Sequence, residues 1–220
     1  MNSIQMLPAL RDKNDIEEKK MTFEQIYILN RALDGEDIYS LPGFSGVSMD
    51  ELSITMYKDG LVEDGLLENH FLFTEEGLIL AKNILDFKNA MKYVTILDIA
   101  LGLINEKEAI MLQCVNGDYT FTLVGVIDIV TQLTNAFSFL SLDCSEDTGG
   151  MQVGLKEFTE LYRLGKSNSF SLMTEQGGKT THDIFFSDGK SIFAYDILNE
   201  ELYRKSKNGV IELLKERIAV

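Results

Sequence analysis

The clearest succession of apolar and polar positions runs from Tyr93 to Val124. It reads YVTILDIALG, LINEKEAIMLQCV, NGD and YTFTLV. These are three β-rich runs joined by two polar turns, Asn105-Glu106-Lys107 and Asn116-Gly117-Asp118. Branched and aromatic side chains dominate the runs and suit a half-buried pleated surface. The spacing predicts an antiparallel meander. The pattern returns from Asn168, where SFSLMTEQ, GGK, TTHDIFFS, DGK and SIFAYDIL give strand, turn, strand, turn, strand. Both turns place Gly where hairpins need positive φ. A further short strand is expected from Glu201 to Lys205. A helix follows each meander: Val126, Ile129, Val130, Leu133 and Phe137 share one face, as do Val210, Leu213, Leu214, Arg217 and Ile218. Residues 93–137 and 168–219 therefore read as a duplicated meander-plus-helix unit.

Before the first meander the period is helical. Thr22-Phe23-Glu24-Gln25 is a capping-box pattern opening a helix with Phe23, Ile26, Tyr27, Asn30 and Leu33 on one side, stopped by Gly35. Ser48-Met49-Asp50-Glu51 reads as a second box, before Leu52, Thr55 and Met56. A short apolar run, His70 to Phe73, precedes Thr74, which caps a third helix striped by Leu78, Ala81, Ile84, Leu85 and Met91. Helix, helix, short strand, FTEEG, helix is a winged-helix-like order over residues 22–92. Between the sheets, Gly154 to Gly165 predicts a helix with Leu155, Phe158, Leu161 and Leu164 inward. Residues 1–21 read as a flexible tail, because RDKNDIEEKK has too little apolar surface to offset ordering entropy. Met21, which begins the first patterned segment, is also a possible start. Residues 22–220 read as one domain.

The 220 residues carry 45% apolar and 25% charged side chains, ordinary for a globular chain, but a net charge of −15. That balance excludes nucleic acid and anionic membrane as expected partners, since both need a cationic surface. From Ser48 to Glu76 there are eight acidic residues (Asp50, Glu51, Asp59, Glu63, Asp64, Glu68, Glu75, Glu76) and one basic, Lys58. The winged-helix-like part is therefore expected to read no DNA. No stretch reaches the ~18 apolar residues of a membrane span, and the N-terminus lacks a signal-peptide pattern. Cytoplasmic residence is the expectation.

Candidate chemistry is thin. Cys114 and Cys144 form no metal or redox spacing, and Cys114 reads as a small core residue within a strand. His182 and Asp183 are strand neighbours pointing to opposite faces, so they are no ready dyad. A metal site would need His70 and His182 to meet a carboxylate. Asp143, Glu146 and Asp147 lack the spacing of a calcium loop. There is no G-x-S-x-G elbow, and Gly177-Gly178-Lys179 reads as a hairpin turn. No catalytic, cofactor or metal residue is assigned, and the chain is not expected to be an enzyme.

The opening MTFEQIYILNRAL, the LPG of Leu41 to Gly43, the GLL…FTEEG of Gly65 to Gly77 and the AMKYVTI entering the sheet resemble the EspG-like chaperones of type VII secretion systems, in the Firmicute branch. The duplicated plan is similar to that family's quasi-two-fold plan. The resemblance runs from Met21 on. It implies a cytosolic chaperone or adaptor that binds a helical client through its central sheet and C-terminal helices and keeps it soluble for export. The client would be a small secreted protein or the N-terminal region of a secreted toxin. The fold class expected is thus α+β, with an antiparallel sheet of two meander-plus-helix units in quasi-two-fold arrangement and a winged-helix-like N-terminal portion.

The second meander is apolar on both faces: Phe170, Leu172, Ile184, Phe186, Phe193, Tyr195 and Ile197 fill single-face positions, and Met173, Phe185 and Ile192 lie between them. If one face stays open it is a partner surface. Phe170, Met173, Phe185, Ile192, Phe193 and Tyr195 are its candidate residues. Helices or a second copy of the chain, as in a homodimer, could instead cover both faces. The alternative function is a transcriptional regulator with an effector pocket in the sheet half.

Overall fold

The computed structural model describes residues 19–142, 147–165 and 169–219, with the side chains of 164 and 165 left aside. Residues 1–18, Asp143, Cys144, Glu146 and the inward position expected for Leu164 fall outside that description. The first helix, α1 (Phe23–Leu33), starts at a full capping box. The Thr22 hydroxyl accepts from the Gln25 N–H, and the Gln25 side chain accepts from the Thr22 N–H. The second, α2 (Glu51–Glu63), is capped by Asp50 rather than Ser48: its carboxylate accepts from the Ser53 N–H at 2.7 Å. A hairpin of β1 (Leu67–Asn69) and β2 (Leu72–Phe73) leads to α3 (Glu75–Lys88), capped by Thr74. Met21, Ile26, Leu61, Leu66, Ile84 and Phe87 form the heart of this winged-helix-like part. Met21 is fully buried and bridges Tyr119 in both directions, so packing begins before the expected tail boundary.

The meanders are β3 (Lys92–Ile96), β4 (Ile99–Leu103), β5 (Glu108–Val115) and β6 (Asp118–Gly125), then β8 (Ser169–Gln176), β9 (Lys179–Ser187), β10 (Ile192–Asp196) and β11 (Glu201–Lys205). With the short β7 (Met151–Gln152) they make one antiparallel sheet. Its order among the described residues is β6-β5-β4-β3-β8-β9-β10-β11-β7. Each meander has four strands. The run YVTILDIALG is two strands folded at Leu97-Asp98, where Leu97 takes φ 59° without a glycine. All five residues of β4 are buried, so alternation vanishes there and the turn is hidden in an apolar run.

Both faces of the sheet carry helices, though the second face is only half-covered along β8 at Ser171 and Met173. On one, Val94, Leu101, Met111, Phe170, Leu172 and Phe185 lie beneath α4 (Val126–Ala136) and α6 (Lys207–Ile218), which follow the two meanders as expected. That face also holds the Asp183 carboxylate, which accepts from Arg217 Nε at 2.7 Å. Burial raises the Asp183 carboxyl above its usual range, and Arg217 opposes the shift. On the other face, Ala100, Ile110, Leu112 and Phe121 meet the N-terminal helices, while Phe186, Tyr195 and Leu202 meet α5 (Leu155–Gly165).

Three helix faces differ from expectation. In α5, Phe158 and Tyr162 face the sheet, and Leu155 and Leu161 are exposed. In α3, Leu80 and Phe87 are buried where Leu78 was expected, and Met91 beyond its end is exposed. The close approach of Gly77 to the hairpin sets this register: a Cβ on Gly77 would lie 1.9 Å from the Leu66 carbonyl oxygen. In α2, Leu61 is the fully buried residue, and Leu52 and Met56 point to solvent. Cys114 is likewise exposed rather than in the core.

Close contact at Gly102 seats α3 on β4. A Cβ there would lie 2.9 Å from Phe87 Cδ2 and 3.1 Å from the Phe87 carbonyl oxygen. Gly102→Ala is expected to destabilise the protein by about 1–3 kcal/mol, read as a lowered urea midpoint.

Candidate functional site

The six residues proposed for an open sheet face do not share one. Phe170, Phe185 and Ile192 point into the core under α4 and α6. Phe185 stacks on Phe170 at 5.0 Å, and Phe137 packs tilted against Phe170 at 4.5 Å. Tyr195 points the opposite way, parallel to Phe158 at 3.9 Å, and its hydroxyl donates to the Val153 carbonyl at 2.9 Å. All four are buried. Two amphipathic helices close one face and α5 closes the other, so these side chains are internal packing and form no open surface. Met173 and Phe193 are half-buried. Phe193 stacks on Phe186 at 5.1 Å as part of the α5 cluster, and Met173 pairs in register with Thr95 and His182.

The histidines stay apart. His70 Nε2 lies 2.6 Å from Asp59 Oδ1 between the hairpin and α2. His182 lies half-buried on the α5 side of the sheet, opposite its neighbour Asp183. No group of three or more His, Cys, Asp or Glu among the described residues is placed to hold a metal ion. The Lys88 side chain is enclosed between α1 and α3. Its ammonium donates to Asn30 Oδ1, the Glu36 carbonyl and Asp34, and that contact holds the Asp34 carboxyl below its usual range. This cluster ties α1 to α3, and its three acceptors occupy the three donors of the ammonium.

Among the described residues, exposed apolar side chains occur along the whole chain, Ile127, Leu155 and Leu198 included, and the two most exposed, Phe71 and Leu52, belong to the N-terminal part. Leu52 is 79% exposed and Met56 57%, one turn apart on the outer side of α2. Phe71, at the hairpin tip, is 85% exposed. Leu72, Leu78 and Ile79 continue the series through β2 and the start of α3. Carboxylates flank them: Asp50 and Glu51 precede Leu52, and Glu75 and Glu76 precede Leu78. Apolar anchors among carboxylates can hold a protein segment, while the same carboxylates repel phosphate. Sequence reasoning placed Leu52, Thr55 and Met56 on one side of α2 without saying whether that side was covered. The signal available was the carboxylates flanking that side.

Residues 16–219 match a family described as a domain of unknown function, DUF5081. The chain belongs to this family. No curated protein matches the chain. Among the described residues, no helix is long and apolar enough to cross a membrane.

The contrast between core and surface is measurable. Phe185→Ala is expected to cost about 3–5 kcal/mol, while Met173→Ala costs under about 1 kcal/mol, both from urea unfolding.

Proposed function

We propose that this DUF5081 protein is a non-enzymatic chaperone or adaptor of a type VII secretion system. In this reading it acts in the cytoplasm, where it binds a helical secretion substrate, a small secreted protein or the N-terminal region of a toxin, and keeps it soluble for export. The observation that carries the reading is the set of exposed apolar side chains on α2, the hairpin tip and α3. Exposed anchors of this size suit a partner contact, and a client helix with an apolar face supplies the surface they lack. The resemblance of the chain from Met21 onward to EspG-like chaperones supplies the secretion context. The client contact is moved from the sheet, where the resemblance puts it, to the N-terminal part, because the candidate sheet residues are mostly core.

The regulator reading has less support. Outward positions of a winged-helix-like α2 would have to meet phosphates, and they carry Leu52, Met56, Asp59 and Glu63 in place of cations.

The test is affinity purification of the tagged protein from its native cytosol, with mass spectrometry of what co-purifies. A helical secretion substrate is expected, and Leu52→Gln with Met56→Gln should reduce its recovery at least about tenfold, roughly 1.4 kcal/mol of binding. The unfolding temperature should stay unchanged. Recovery of no protein, or of a DNA fragment instead, contradicts the reading.

A further inference from the structure

A cavity of about 420 Å³ lies where α1, α2 and the β1–β2 hairpin meet. Its size is that of a small-molecule site. Ile28 and Leu29 of α1, Ile54 of α2, and Leu67 and Phe73 of the hairpin give it apolar walls. Its charged lining is of one sign. Arg31 and Lys58 both contribute to it, His70 is the third ionisable nitrogen group, and no carboxylate lines it. That selection runs against the local composition, since Ser48 to Glu76 holds eight acidic residues and Lys58 is the one Lys or Arg.

The two cations are held by rings and not by acids. Lys58 Nζ lies 5.2 Å from the Phe71 ring centroid, and Arg31 Cζ lies 5.8 Å from that of Tyr27. Among the described residues, neither makes an ion pair. Asp59, next to Lys58 in sequence, is engaged by His70. The adjoining depression that shares Tyr27 and Arg31 does carry Glu36 and Asp37, and neither of them pairs with Arg31. A cation over an aromatic face keeps its N–H donors for another acceptor. A guanidinium and an ammonium beside an apolar chamber therefore complement an anion with an apolar body.

We infer that this cavity is a binding site for a small amphiphilic carboxylate, its apolar body among Ile28, Ile54, Leu67 and Phe73 and its carboxylate between Arg31 and Lys58. The site shares Phe71 with the proposed client surface but none of its lining comes from Leu52 or Met56 on the outer side of α2, and it does not rest on the chaperone reading.

The experiment uses the full chain with octanoate, octan-1-ol and octylamine as probes, followed by calorimetry and by methyl NMR of Ile28, Ile54 and Leu67. Octanoate is expected to bind at least about tenfold more tightly than the alcohol or the amine, a difference of roughly 1.4 kcal/mol. It should shift the Ile54 and Leu67 methyl signals. Arg31→Gln with Lys58→Gln should lower octanoate affinity at least about tenfold while leaving the unfolding temperature of the free protein in place. An apolar dipeptide such as N-acetyl-Leu-Phe carries the same chemistry at a chain terminus, and the tighter of it and octanoate identifies the source. Three results overturn the inference. They are equal binding of the alcohol, octanoate binding indifferent to the double substitution, and no binding up to the order of 10 mM.

Discussion

The antiparallel pairing of β3 with β8 is the constraint on which the rest of the structure depends. Tyr93 to Ile96 align with Glu175 to Leu172, residues distant in sequence, and this one seam turns two meanders into a single sheet. Without it each half would present an edge strand of unpaired N–H and C=O groups. With it, α4 and α6 come to the same face and close over one continuous core from Val94 to Ile192. Val94 and Ile96 of β3 and Phe170 and Leu172 of β8 lie at the middle of that core, so the pairing and the burial depend on each other.

That closed sheet decides where function can lie. Its second face is divided between the N-terminal helices, fitted against Gly102 by Phe87, and α5, fitted against Tyr195 by Phe158. Strands this well covered have little left to offer a partner. The N-terminal part differs. It is held to the sheet by Phe87, Phe121 and the Met21 bridge, while α2, with one fully buried residue, lies outermost and keeps its apolar side chains in solvent. Its inner side meets α1 and the hairpin across the cationic, apolar-walled cavity. Outer surface and inner cavity thus use different sides of the same short helix.

Much of this plan is legible in the chain. The hairpins at Asn116-Gly117 and Gly177-Gly178 announce themselves because only residues tolerant of positive φ fit there. The faces of α4 and α6 are legible because their apolar residues share one side. The fold at Leu97-Asp98 is not, because Leu97 turns without a glycine into β4, a strand buried on both faces. Strand parity correctly separates Phe185 from Phe186, but it says nothing about whether a helix lies above either. Coverage by helices is a tertiary fact: α4 and α6 convert Phe170, Phe185 and Ile192 from a candidate surface into core, and α5 does the same for Tyr195. The cavity is hidden for a similar reason. Arg31, Lys58 and Phe71 belong to three elements, and no local spacing links them.

The central claim is that partners meet the N-terminal part and leave the closed sheet undisturbed. Hydrogen–deuterium exchange of the protein, free and with its co-purified client, tests it most directly. The account predicts new protection in α2 and the β1–β2 hairpin, residues 51–73, with exchange in β8 to β10 unchanged. New protection confined to β8, β9 and β10 would contradict it, because a client would then reach a face that the structure shows covered.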